Sequence, residues 1–423
     1  MMTTRIACGA GFSGDRIEPA EDLLRRADAA DLVLECLGER TVAQAQQRRL
    51  ADPALGYERR LPARFERLLP LARAHGARVI TNMGAANPLA AGRVTRGILD
   101  ARGLGGRVAV LTGDDVLDVV DLDAPAWETG RPLRSHGEIV SANAYLGADA
   151  LLPALDADVV IAGRVADPSL FLAPLAQRLG WALDDLPRVA AGTLVGHLLE
   201  CAGQLTGGYF ADPGYQDVPD LDRLGFPFAD VADDGSAVLG KLPGTGGVLN
   251  RATVREQLLY EITDPGAYLT PDVVLDVRGV TISDDVRVAG ARGAPRPDEL
   301  KVSVGYRAGS KVEAEITYVG PNAAARGALA ADVVGKRLAG LRVRAEVLGG
   351  PTDCRLRVAA ISHDPAVLER IGDEVESLFT NGPAGGGGVR VHVTDVIGIV
   401  STLVPRAAVR PSVTFLEAPD AAA

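Results

Sequence analysis

The segment AAGTLVGHLLECAGQLTGGYFAD carries His197, Glu200 and Cys201 close together in a helical pattern. Residues three and four apart share a helix face, so the imidazole can meet either the Glu200 carboxyl or the Cys201 thiol. The first pairing is a general base with an orienting acid, and the second is a thiol nucleophile with its base. A buried, hydrogen-bonded histidine is the plain alternative. A second group is acidic: Asp15 in CGAGFSGD and Asp167 in AGRVADPSL each follow a short apolar run. Either could pass a proton. Arg164, three residues before Asp167, has the forked guanidinium that grips a carboxylate or phosphate. Arg164 and Asp167 can equally pair with each other, and Asp167 can cap the helix after Pro168.

Two glycine-rich stretches are a third candidate. QLTGGYFAD contains Thr206, Gly207 and Gly208, and KLPGTGGVLN contains Gly244, Thr245, Gly246 and Gly247. Successive N–H groups ahead of a helix make an anion nest, or an oxyanion hole where a carbonyl is placed. A hinge is the competing role. Neither stretch has the G-x-x-x-x-G-K-[ST] phosphate loop.

These residues need elements to hold them. The first half alternates short apolar, β-branched runs with helical patterns, which predicts a parallel sheet with helices on both faces. Strands are expected at 5–8, 31–36, 77–82, 107–112, 138–142 and 158–162, with helices at 19–30, 41–51, 62–75, 88–101, 147–155 and 168–180. In such sheets ligands sit beyond the carboxyl ends of the strands. Those ends read CGAGFSGD, LECLGER, ITNMGAANP, LTGDD, SANAYLGA and AGRVADPSL. Ser13, Asn82, Asp114 and Asn143 therefore join Arg164 and the acids on one rim as substrate-binding candidates, with Glu35 among the neighbours.

Gly9, Gly11 and Gly14 have the spacing of a dinucleotide loop, and Glu35 lies where a ribose-binding acid falls. Yet Asp15–Pro19 separates the glycines from the expected helix, and a pyrophosphate needs that helix to begin within the motif. No cofactor is expected, and no metal.

After a helix ending at Glu200, residues 204–227 are irregular. From about Gly225 longer alternating strands appear (273–280, 300–306, 311–319, 341–348, 354–361, 389–396), with Gly305–Gly309 as a hairpin turn and Gly385–Gly388 as a mobile loop. The expected fold class is α/β: an open, mostly parallel sheet in residues 1–224, followed by a smaller α+β domain in 225–423 whose glycine-rich loop closes the site.

Of 423 residues, 47% are apolar, and formal charge is −11 from 44 basic and 55 acidic side chains without basic blocks. Such a field repels a phosphate backbone, which excludes nucleic acid as a partner. No apolar run approaches the roughly 18 residues of a membrane span, and neither membrane spanning nor secretion is expected. The four cysteines are scattered, which fits reduced thiols in the cytoplasm. A homo-oligomer is expected.

GFSGD, TNMGAANP, DVVIAGRVADPSLFLAPL, the His197 segment, GFPFADV and KLPGTGGVLNRATVREQLLYEITDPGAYLTPDVVLD together resemble the acyclic terpene utilisation (AtuA-like) family, from about Arg5 to Tyr306 and more weakly to Ala339. The resemblance implies a place in the breakdown of branched isoprenoids through acyl-CoA thioesters. An enzyme acting on a small acyl or acyl-CoA substrate by hydratase or lyase chemistry is therefore expected. His197, Asp167, Asp15 and Glu200 would move protons, Arg164 would hold the anion, and the Gly244–Gly247 amides would stabilise an enolate. The alternatives are an ester or thioester hydrolase using Cys201 or a serine, although no G-x-S-x-G elbow is present, and a non-catalytic subunit of a pathway complex.

Overall fold

The computed structural model describes residues 2–417. It divides into two compact units: one holds the chain up to Gly130, Ser141–Val304 and the chain from Val400, and the other holds Arg131–Val140 and Gly305–Ile399.

The first unit begins with β1 (Thr3–Ala10), α1 (Glu18–Arg26), β2 (Asp31–Leu34), α2 (Glu39–Ala51), α3 (Leu61–His75), β3 (Arg78–Thr81), α4 (Pro88–Ala101) and β4 (Val108–Thr112). The chain goes on through β5 (Ile139–Ala144), α5 (Ala148–Leu151), β6 (Val159–Ala162), α6 (Ser169–Leu179) and α7 (Leu186–Leu199). β1, β2, β3, β6 and β4 lie side by side in that order, all parallel. Every residue of β2, β3 and β6 is buried, as a sheet covered by helices on both faces requires. α1 shows how the helices attach. Pro19, Ala20, Leu23 and Leu24 face inward, with acids in its first turn and arginines in its last, matched to the helix dipole. The helix expected over 147–155 is cut short, because Pro153 turns its second half into a 3-10 turn.

β7 (Pro227–Ala232) and β8 (Ala237–Lys241) follow, then α8 (Arg251–Leu259), β9 (Tyr268–Leu269), β10 (Val274–Asp276), β11 (Thr281–Ile282), β12 (Arg287–Ala289) and β13 (Arg292–Ala294). The break expected between 224 and 225 falls inside the first unit. β7 pairs antiparallel with β1, and the Arg5 guanidinium grips Asp230 through two hydrogen bonds of 2.7 Å. β8, β12 and β11 extend that edge antiparallel, while β9, β10 and β13 form a small separate sheet.

The strand after these, β14 (Glu299–Val319), is continuous through the expected turn at Gly305–Gly309. Gly309 takes a left-handed φ of 91° within the strand, and a side chain there would meet the Ser362 carbonyl. The second unit adds α9 (Ala323–Arg337), β15 (Arg344–Gly349), β16 (Asp353–Ser362), α10 (Pro365–Asn381) and β17 (Gly386–Pro405), with strand order β15-β16-β14-β17. Its core packs Ile316, Tyr318, Val334, Leu356, Ile371 and Val375. Gly386–Gly388, expected in a mobile loop, begin β17. The last strand, β18 (Ser412–Leu416), returns to the first unit antiparallel to β4.

Candidate functional site

Beyond the carboxyl ends of β1, β2 and β6, and wholly within the first unit, lies a cavity of about 810 Å³. Gly11 and Phe12 follow β1, Glu35 and Cys36 follow β2, Arg164 and Asp167 follow β6, and Glu200 and Cys201 end α7. Residues 260–261, 268–271 and 297–301 also line it. Gly11 is required here: a Cβ would lie 2.2 Å from the Cys201 carbonyl carbon. That contact seats the end of α7 against β1.

Glu35 is buried, and both of its identified donors reach one oxygen. Asn82 Nδ2 and the Leu37 N–H each donate to Oε1 at 2.8 Å. Burial pushes its carboxyl up to about 8; the Asp167 charge adds to this, and Arg164 opposes it. A carboxylic acid held near neutrality in a cavity is a proton donor or acceptor of useful strength.

Arg164, also buried, donates to the carbonyls of Leu37 and Val165 and to the Asp167 carboxylate. Its guanidinium lies 4.5 Å from the centre of the Tyr145 ring. Lys301 Nζ is 4.9 Å from the same ring centre and 3.4 Å from Glu39, to which the Tyr145 hydroxyl donates at 2.8 Å. Arg164 is therefore an internal clamp and the counter-ion of Asp167. Burial raises the Asp167 carboxyl, and the bound guanidinium works against that rise.

His197 lies behind this wall. Its Nδ1 is 3.0 Å from Glu200 Oε1 and its Nε2 is 3.2 Å from the Leu258 carbonyl oxygen. Both ring nitrogens thus face acceptors. Burial lowers the proton affinity of the imidazole and raises that of Glu200 well above the usual range. The consistent arrangement is a neutral ring donating Nε2–H to Leu258, with the Glu200 acid proton donated to Nδ1. His197 touches two residues of the lining, Glu200 by a hydrogen bond and Tyr268 by a ring contact of 5.3 Å between centroids, and the second Glu200 oxygen has no hydrogen-bond partner. Cys201 borders the cavity, but burial and the neighbouring Glu200 keep its thiol protonated, which weakens it as a nucleophile.

The remaining candidates lie outside the cavity lining. The Asp15 carboxylate accepts the N–H groups of Gly11 (2.9 Å) and Phe12 (3.1 Å), which closes the glycine loop on itself and leaves those two donors unavailable to a pyrophosphate. Arg60 and Arg64 hold the Ser13 carbonyl. Asn82 acts through Glu35. Asp114 accepts from Asn143 and from the Arg164 N–H, each at 2.9 Å, and so fixes the turn that carries the arginine. Thr206 donates to the Gly203 and Gly225 carbonyls, and Gly207 and Gly208 pack against Val218 and Gly203. The loop with Gly244, Thr245, Gly246 and Gly247 packs on Asp220 and Thr206, and Thr245 donates to Leu242. Its amides do not border the cavity, because the Leu224–Gly246 bridge ties the loop to the irregular 204–227 segment.

The sequence matches the profile described as acyclic terpene utilisation family protein AtuA over residues 4–415. The chain belongs to the acyclic terpene utilisation family. No curated protein matches it. The family match runs through both units, from the β1 loop to β18, and takes in every cavity residue named above.

The site also uses residues that pattern reading passed over. Tyr145, Glu39, Lys301, Tyr260, Glu261 and Tyr268 all border the cavity. One signal for three of them was present: YEITDPGAY is a Pro- and Gly-bearing loop after a helix, with aromatic residues that have no amphipathic pattern to explain them. Glu261 adopts a left-handed φ of 59°, which is uncommon outside glycine. Among the described residues, no three His, Cys, Asp or Glu side chains are disposed to hold one metal ion. Nor is any helix of the described residues long and apolar enough to cross a membrane.

Proposed function

We propose that this protein is a hydratase- or lyase-type enzyme that adds water to, or removes it from, a small branched, isoprenoid-like substrate carried as an acid or acyl thioester. The observation that carries this reading is the pair of carboxyls facing one cavity in unlike surroundings. Asp167 is bonded to the Arg164 guanidinium, whereas Glu35 has only neutral N–H donors on one oxygen. Paired acids in environments that separate their proton affinities divide the roles of acid and base. Glu35 delivers the proton, and the Asp167 carboxylate takes one from water or carbon. Phe12, Trp127, Tyr260, Leu269 and Leu403 provide apolar walls for the alkyl chain. The high proton affinity of Cys201 disfavours a thiol-based hydrolase.

The test is isotopic. The protein is incubated in D2O and in H2(18)O with branched enoyl and hydroxyacyl thioesters, their free acids and tertiary alcohols, and label is read by mass spectrometry. Label should enter one substrate class, and Glu35→Gln and Asp167→Asn should each slow entry by about 10²–10⁴-fold. Full-rate exchange by Glu35→Gln, or no exchange with any compound, overturns the reading.

A further inference from the structure

We propose, resting on the reading above, that the charge developing on the substrate in this cavity is positive, so that water enters or leaves at a branched carbon that ionises as a tertiary cation rather than beside a carbonyl as an enolate.

The cavity's two cations are both engaged, and they share one aromatic ring. Arg164 and Lys301 flank Tyr145, the first bonded to Asp167 and the second beside Glu39. Asp167 is close enough to Glu39 and to Glu261 for each charge to raise its proton affinity. Glu200, Tyr260 and Tyr268 also feel the Glu261 charge, and the lining has no cationic side chain beyond the two already engaged. Glu200 is 6% exposed, and its Oε2 has no partner. Carboxylates and aromatic faces around an apolar space stabilise an organic cation.

An enolate would find the opposite. The backbone donors at the ends of β1 and β2 are already taken: Gly11 and Phe12 by Asp15, Cys36 by the Asn82 side-chain oxygen and Leu37 by Glu35. The glycine amides at 244–247 are elsewhere. Burial, with the Asp167 charge, keeps the protons on Glu200 and Glu35, and a cation beside them would favour their ionised forms.

The step balances without a redox partner. Glu35 gives its proton to the hydroxyl of a tertiary alcohol, the C–O bond breaks and its electron pair leaves with water. The Asp167 carboxylate then removes a proton from the adjacent carbon, and the C–H pair becomes the double bond. Water carries that proton from Asp167 back to Glu35. Hydration is the reverse.

Binding tests this independently of turnover. Trimethyl(3-methylbutyl)ammonium, its neutral isostere with carbon in place of nitrogen, and 4-methylpentanoate are titrated calorimetrically into the full chain at constant ionic strength. The ammonium ion should bind at least tenfold more tightly than the isostere, and the carboxylate more weakly than either. Glu261→Gln, an exposed change that leaves the core alone, should reduce the ammonium preference several-fold. Equal binding of ammonium and isostere, tighter binding of the carboxylate, or displacement of the ammonium by millimolar Mg²⁺ overturns the inference. Label exchange without ammonium preference removes this inference and leaves the hydratase reading. Ammonium preference without exchange removes the hydratase reading and leaves a site that binds organic cations.

Discussion

Replacing Glu35 by glutamine should make the protein more stable while stopping its chemistry. An ordinary glutamate titrates near 4.5, and Glu35 at about 8. At about 1.4 kcal/mol per factor of ten in proton affinity, the difference amounts to roughly 5 kcal/mol. The sign follows from proton counting. Between these values the unfolded chain has released the proton and the folded chain keeps it, so folding takes up a proton and stability falls as pH rises through the window. Below 4.5 both states hold the proton and the effect vanishes. Glutamine carries no titrating proton, and its amide oxygen can accept from Asn82 and Leu37 as Oε1 does. Water entering the cavity screens part of the difference, so a gain of about 2 kcal/mol is expected at pH 8, a few degrees in Tm, falling to nothing near pH 4.5. Scanning calorimetry of both proteins from pH 5 to 8 measures it. A variant less stable than the parent at pH 8, or a difference that does not change with pH, would show that Glu35 is ionised in the fold, and its role as proton donor would be lost.

Four further outcomes follow from contacts in the structure. Gly11→Ala should destabilise by about 3 kcal/mol, the upper end for overpacking, because the new methyl meets backbone at Cys201 and not a movable side chain; chemical denaturation checks it. Asp31→Asn should cost roughly 3–5 kcal/mol, because Asp31 is buried between Arg78 and Arg178 and the variant leaves buried guanidinium charge unpaired. Cys201→Ala should retain the label exchange of the parent, and its loss would revive a thiol mechanism. His197→Phe should fold with a loss of about 1–3 kcal/mol from the unpaired Glu200 carboxyl, and should move the pH profile of exchange, a readout that packing alone does not shift.

The parallel sheet was legible in the sequence because buried parallel strands are short unbroken apolar runs, such as DLVL and VVIA, set between helices that start at prolines. The rim was legible for the same reason, since residues after a strand's carboxyl end have few places to go, and Glu35, Arg164 and Asp167 do meet. Two things were not legible. Spacing along one segment cannot say which way a side chain faces, so Asp15, Asp114 and Asn143, at the rim as expected, proved to be spent on neighbouring backbone and side chains. Nor can it say which distant segment covers a crevice. The glycines at 244–247 had the right chemistry but were tied to 204–227, and the cover came from the Tyr260–Thr270 loop, whose glutamate takes a backbone conformation its residue type does not advertise. The long β14 hid its continuity because Gly305 and Gly309 imitate turn residues, and the strand runs through both.

α7 and α8 are laced together through His197 in both directions: its imidazole meets the Leu258 carbonyl, and its own carbonyl accepts from the Gln257 side chain at 3.0 Å. Tyr260 and Glu261 begin immediately beyond that lacing. Any outward swing of α8 to admit a bulky guest would strip the imidazole of the carbonyl that raises its proton affinity, weaken its claim on the Glu200 proton and leave that proton to the cavity. Entry and arming of the acid would then be one motion, with the door handle on the proton store.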